Sequence, residues 1–194
     1  MLEQYLKNTQ DLGLVLDPNY DIFKVDTYPN ANFTGMHGNK SQYDPACAKS
    51  STDLIIEFDD CPVLWISKLQ NETPISTMEA EIITLNRCCR ELFQIIDINR
   101  SPGKAVVLPV SAPLKKMSVH EDNADALILA RTFPPKFTSR SKYYATKTIW
   151  FCEDINKRKI ALLKIATAEQ LGELLTKVIP RATFEILRNK IMGW

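Results

Sequence analysis

The sequence predicts an α/β protein built on a mixed sheet covered by helices. Two apolar runs, residues 54–58 and 63–67, flank Asp59, Asp60, Cys61 and Pro62 and read as an antiparallel hairpin. Ser76, with Glu79 three residues on, opens the longest helical pattern in the chain. Strand and helix patterns then alternate, which after a short leading helix gives the order β-ββ-α-β-α-α-β-α-α.

The elements follow in order. Residues 1–8 place Leu2, Tyr5 and Leu6 at helical spacing. A strand is expected over 22–28, stopped by Pro29, and a polar loop over 36–49. The hairpin comes next. The capped helix starting at Ser76 carries Ile82, Ile83, Leu85, Leu92, Phe93 and Ile96 and should end near Asn99, before a loop with Pro102, Pro109 and Pro113. Residues 116–120 read as a strand feeding an acidic cap and an apolar helix in EDNADALILA. A basic, proline-broken linker spans 131–141. Helix is expected over 142–154, strand over 158–165, and helices over 168–178 and 182–192.

With 194 residues the chain is long enough for one well-filled core and a trailing piece. A hydrophobic fraction of 45% and a charged fraction of 24% are ordinary for a globular protein. The net charge of +1 leaves any nucleic-acid contact to a local patch. Five cysteines without a C-x-x-C pair are expected to be reduced thiols of an intracellular protein. His37 and His120 stand apart, so a His/Cys zinc site is not expected. Acidic and amide side chains interrupt the first sixteen residues, and no apolar run approaches ~20 residues, so neither a signal peptide nor a membrane span is expected.

Several stretches share one resemblance. They are YLKNTQDLGLVL at 5–16, CPVLWISKLQNETPISTMEAE at 61–81, HEDN at 120–123, SRSKYYATK at 139–147, AEQLGELLTK at 168–177 and FEILRNKIMGW at 184–194. In order and spacing they resemble the ribonuclease H domain of a copia-type LTR retrotransposon polyprotein. The resemblance implies a ribonuclease H-like mixed five-stranded sheet flanked by helices. It divides the chain into a remnant of the connection to a reverse transcriptase (1–18), the ribonuclease H-like domain (19–180) and a C-terminal helix (181–194).

The implied activity is hydrolysis of the RNA strand of an RNA–DNA hybrid by two divalent ions, Mg²⁺ or Mn²⁺. Two hard dications set ~4 Å apart need several carboxylates to offset their repulsion. The family's four positions fall on Asn30, Glu81, Asp122 and Glu173, of which Glu81, Asp122 and Glu173 remain able to hold metal. By residue type alone, Glu81 reads sooner as a solvated helix glutamate, and Asp122 serves as well for a helix cap as for a ligand; the resemblance reverses the first reading. The pattern Y-x-D-A-D-F-A-G reads Tyr28-Pro29-Asn30-Ala31-Asn32-Phe33-Thr34-Gly35, so both first-strand aspartates are asparagines. An amide oxygen has no charge with which to bridge two ions. Glu173 stands where the family has aspartate, one methylene longer, and Gly172 stands for alanine. Asp26 shares strand parity with Asn30 but lies ~13 Å back along the strand. Tyr143 and Ile149 occupy the family's histidine positions.

Arg140, Lys142 and Lys147 are candidate phosphate contacts, with a solvated face as the alternative. Two functional readings result. One is an impaired ribonuclease H with an RNA–DNA hybrid as partner. The other is a non-catalytic module that keeps the fold for nucleic-acid or protein binding. No membrane partner is expected.

Overall fold

Two aspartates reverse the hairpin. Asp59 and Asp60 both take positive φ, 48° and 64°, the type I′ geometry whose twist matches that of the strands it joins. A computed structural model describes residues 2–18, 23–35, 37, 41, 43–100, 114–132 and 144–193. In it β2 (Ser51–Phe58) and β3 (Cys61–Leu69) are joined by this two-residue turn. The connection is shorter than expected because Cys61 and Pro62 already pair with Phe58 and Glu57. Pro62 is tolerated there because β3 is an edge strand and its register slips beside Glu57.

The first strand, β1 (Lys24–Asn32), runs through Pro29 rather than stopping at it. Pro29 pairs with Leu54 of β2, but the parallel ladder to β4 (Lys116–Glu121) ends at Thr27 and Val119. The missing N–H therefore falls where the ladder is one-sided. Beyond that point the amide of Gln170, fully buried, donates 2.9 Å bonds to the carbonyls of Pro29 and His120. It closes the gap between the diverging strands.

With β5 (Ala161–Lys164) the sheet has the order β3-β2-β1-β4-β5, antiparallel at β1–β2–β3 and parallel at β1–β4–β5. One face is covered by α2 (Thr77–Arg100), α3 (Ala124–Arg131) and α4 (Ala145–Arg158). Leu54, Ile56 and Val119 meet Leu85, Leu92 and Phe151 there in the main core. The other face is covered by α5 (Glu173–Thr176) and α6 (Arg181–Met192), with Ile55, Leu171 and Leu187 at the centre of a smaller cluster. The leading helix α1 (Leu2–Thr9) sets Tyr5 edge-on to Phe184 of α6 at 6.0 Å. This is a mixed five-stranded sheet flanked by helices, the architecture that the resemblance implies.

One expected helix is absent as a continuous element. Residues 168–178 form a 3-10 turn at Thr167–Glu169, an extended step at Gln170, and the single turn α5. The chain breaks because Gln170 is turned into the sheet and Gly172 presses against β1, where an added Cβ would sit 2.7 Å from the Tyr28 carbonyl. All five cysteines are free. Among the described residues no helix is long and apolar enough to cross a membrane. The proline loop at 101–113, parts of 36–42, and residues 133–143 with Arg140 and Lys142 lie outside the described residues.

Candidate functional site

The helix α2 aims one of its two early glutamates into the molecule. The Ser76 hydroxyl accepts the Glu79 N–H at 3.2 Å, as the capping pattern predicts. The Glu79 carboxylate accepts the Ile75 N–H at 2.7 Å and the Tyr144 hydroxyl at 3.2 Å, so it is spent on fixing the helix start. Glu81, two residues on, faces β1 and accepts the backbone N–H of Ala31. It is buried, which removes the reading as a solvated glutamate.

The end of β4 supplies two more acids. Strand alternation puts Glu121 on the same face as Val119, both fully buried beneath α2. The cap of α3 is Asn123, whose Oδ1 accepts the N–H groups of Asp125 and Ala126. Asp122 is therefore not the cap. Its Oδ2 instead accepts the Thr167 hydroxyl at 2.8 Å. Glu81, Glu121 and Asp122 each place a carboxylate oxygen within 4.8 Å of the other two.

The first strand and α5 meet at the same end of the sheet. Asn30 Nδ2 donates to Glu173 Oε2 at 2.6 Å and to the Thr176 hydroxyl at 3.2 Å. Asn32 Nδ2 donates to the Thr176 carbonyl at 2.9 Å. The other oxygen of Glu173 receives the Lys177 ammonium at 2.7 Å. The fold thus brings the four positions Asn30, Glu81, Asp122 and Glu173 to one end of the sheet, in two pairs. Glu81 belongs to the pair with Asp122 and feels the charge of Glu121, Asp122 and Glu173. Asp26 takes no part: His120 is 2.8 Å from its Oδ1 and Lys24 3.5 Å from its Oδ2.

The electrostatics of the cluster are severe. Burial pushes the Glu81 carboxyl far above the usual range, and the charges of Glu121 and then Asp122 push it further. Burial likewise raises Glu121 to about 8, against the opposing bond from the Asn123 N–H. Two ionised carboxylates at such spacing repel by about 3–4 kcal/mol at an effective dielectric near 20. Oε2 of Glu81 and Oε2 of Glu121 are buried without a hydrogen-bond partner. Among the described residues no lysine or arginine forms an ion pair with Glu81, Glu121 or Asp122. All-oxygen, acidic, uncompensated donors fit a hard divalent cation.

Glu121 is the site residue that the sequence motifs did not single out. Its signal was an acid on the apolar face of a strand, one residue before the matched aspartate. Of the candidate phosphate contacts, Lys147 lies in the described part. It pairs with Glu72 and sits 5.6 Å over the Tyr144 ring.

No protein-family model matches the chain. Over 188 residues, 97% of its length, it is 27% identical to the retrovirus-related Pol polyprotein from transposon TNT 1-94 of Nicotiana tabacum. Over an equal span it is 24% identical to the polyprotein from transposon RE1 of Arabidopsis thaliana. It is also 24% identical, over 189 residues, to the Ty1-DR1 Gag-Pol polyprotein of Saccharomyces cerevisiae. The chain spans 13%, 12% and 10% of these relatives. Among solved structures it is similar to LC11-RNase H1 from compost at 12% identity, covering 88% of this chain and 94% of that one, with a TM-score of 0.49. It is similar also to the N-terminal RNase H domain of a Mycobacterium tuberculosis protein at 8% identity, covering 86% and 97%, with a TM-score of 0.47. The homologues of this chain are retrovirus-related Pol polyproteins from transposons, copia-type elements among them.

Proposed function

We propose that this relative of transposon Pol polyproteins is a ribonuclease H-like domain whose cleavage of RNA–DNA hybrids is severely reduced. The observation that carries the reading is the Asn30–Glu173 hydrogen bond. The family's first two-metal position holds an amide, and that amide is used as a donor to the family's last one. The bond neutralises nothing, yet it ties up an oxygen that a second ion needs, while Lys177 takes the other.

Glu81 and Asp122 are the inherited carboxylates that would hold Mg²⁺ or Mn²⁺, with Glu173 as the remaining member of the set. When bound, such an ion activates the attacking water or stabilises the leaving oxygen. Loss of a bridging carboxylate is worth several kcal/mol, and ~4 kcal/mol corresponds to roughly 1,000-fold in rate. A hybrid or another nucleic acid is the expected partner, with Arg140, Lys142 and Lys147 as phosphate contacts. A reverse transcriptase domain preceding residues 1–18, and an intracellular setting, fit the relatives and the free thiols.

The second reading is a non-catalytic nucleic-acid or protein-binding module, and the same asparagines favour it. Both are separated by incubating the purified protein with an RNA–DNA hybrid in Mg²⁺ and in Mn²⁺. The expected result is cleavage at least 1,000-fold below that of an active ribonuclease H. Ordinary turnover in either metal would overturn the proposal.

A further inference from the structure

The geometry points to a displaced, single-ion site in which Glu121 takes over the ligand role that Asn30 has lost. One hard divalent cation is held by Glu81, Glu121 and Asp122. This rests on the ribonuclease H-like reading for the kind of ion, and on this chain's own residues for the ligands.

Three independent observations meet here. First, the three carboxylate oxygens lie within 4.8 Å of one another. Ligands on opposite sides of one ion at roughly 2.1–2.4 Å are about 4.2–4.8 Å apart, so one ion fits among all three. Second, Glu81 and Glu121 are 6% and 0% exposed, and each keeps an oxygen with no partner. A buried carboxylate oxygen left without a donor is a costly arrangement that a native chain ordinarily avoids. Two of them in one cluster of acids point to something that arrives from outside. Third, the neighbouring acids are already satisfied. Glu173 has Lys177 and Asn30, and Glu79 has the Ile75 N–H and Tyr144.

The backbone explains why Glu121 is available. Its Oε1 accepts the N–H of Asn123, which steadies the side chain and leaves Oε2 for a ligand. Asn123 caps α3, so Asp122 is free to turn its carboxylate back. Its Oδ2 is set by the Thr167 hydroxyl, a positioning bond of the kind that orients metal ligands.

The test is Mn²⁺ binding to the whole chain, by calorimetry and by counting bound ions with electron paramagnetic resonance. The expected result is one ion per chain, with affinity weakened at least 10-fold in Glu121→Gln and in Glu81→Gln. Asp125→Asn, on the exposed first turn of α3, should bind as the parent does. Should Glu121→Gln fail to fold, Glu121→Asp serves instead, and a shortened ligand should still weaken binding at least threefold. If Glu81→Gln loses the ion and the Glu121 variants do not, the inherited ligands stand and this proposal falls alone. If the parent binds no Mn²⁺, the proposal and the metal part of the ribonuclease H reading fall together. Two bound ions would overturn the single-ion site and leave the family reading intact.

Discussion

Asn30 and Asn32 are built into their surroundings as donors. One faces a carboxylate and the other a carbonyl, so aspartate at either position would set acceptor against acceptor. Asn30→Asp restores the family's residue, yet it should destabilise the metal-free protein by about 1–3 kcal/mol through a lost bond and a new repulsion. Adding Mn²⁺ should return much of that loss, because an ion can sit between the two carboxylates, and calorimetry should register tighter binding. Thermal denaturation in chelator and in Mn²⁺ checks both halves; an unchanged metal-free melting temperature would contradict the geometry. At the end of β4, Asn123→Ala should cost about 1 kcal/mol as a lost helix cap. Asp122→Asn should leave urea stability unchanged or raised, since Asp122 sits among acids and caps nothing. Residue type alone left cap and ligand undecided at Asp122, because both belong just before a helix. Only the side-chain bonds of Asn123 separate them. Glu121 was legible in principle: alternation from Val119 puts it on the core face, and an acid there asks for a counter-charge.

At the scale of elements, what was readable was local. The hairpin and α2 follow from alternation, turn residues and a cap, all within a few neighbours in sequence. The segment from 167 to 176 was not readable, because contacts to strands 50 and 141 residues away set its course. Gln170 shows this most directly. Its side chain amide serves the carbonyls of Pro29 and His120, and its replacement by Ala leaves both without that donor in a buried place. We expect Gln170→Ala to cost roughly 2–4 kcal/mol, measured by urea denaturation. A cost under about 0.5 kcal/mol would mean that β1 and β4 hold together without it. Gly172→Ala should also destabilise, by about 1–3 kcal/mol. Its Cβ would lie 2.7 Å from the Tyr28 carbonyl and 2.9 Å from the Asn30 Cβ, so α5 must move away from β1. Glycine here is a requirement of the close approach of α5 to β1.

The whole molecule buries acids at both ends of its central strands. Glu57, under α6, is lifted to about 7 by burial and by the charges of Asp60 and Asp26. Glu121 is lifted to about 8 and Glu81 well above the ordinary range, in both cases first by burial. A carboxyl whose folded pKa lies above its unfolded value binds more protons in the native state. Its contribution is fully present below the unfolded pKa, near 4.5, and is lost as pH rises through the folded value. Asp26, held below the usual range against the penalty of burial by His120 and Lys24, has the opposite sign, but its window lies under pH 4. Between pH 5 and 8.5 the acids therefore act together, and the chelated protein should lose stability steadily across that range. Glu57 alone corresponds to roughly 3 kcal/mol over its shift from 4.5 to about 7. Glu57→Gln should flatten the lower part of the decline. Saturating Mn²⁺ should flatten the upper part, because an ion then neutralises Glu81 and Glu121 in place of protons. Urea denaturation at pH 5, 7 and 8.5, with chelator and with Mn²⁺, separates the two contributions. A chelated protein that grew more stable from pH 5 to 8.5 would show that these acids are solvated, and the buried cluster would no longer account for the site.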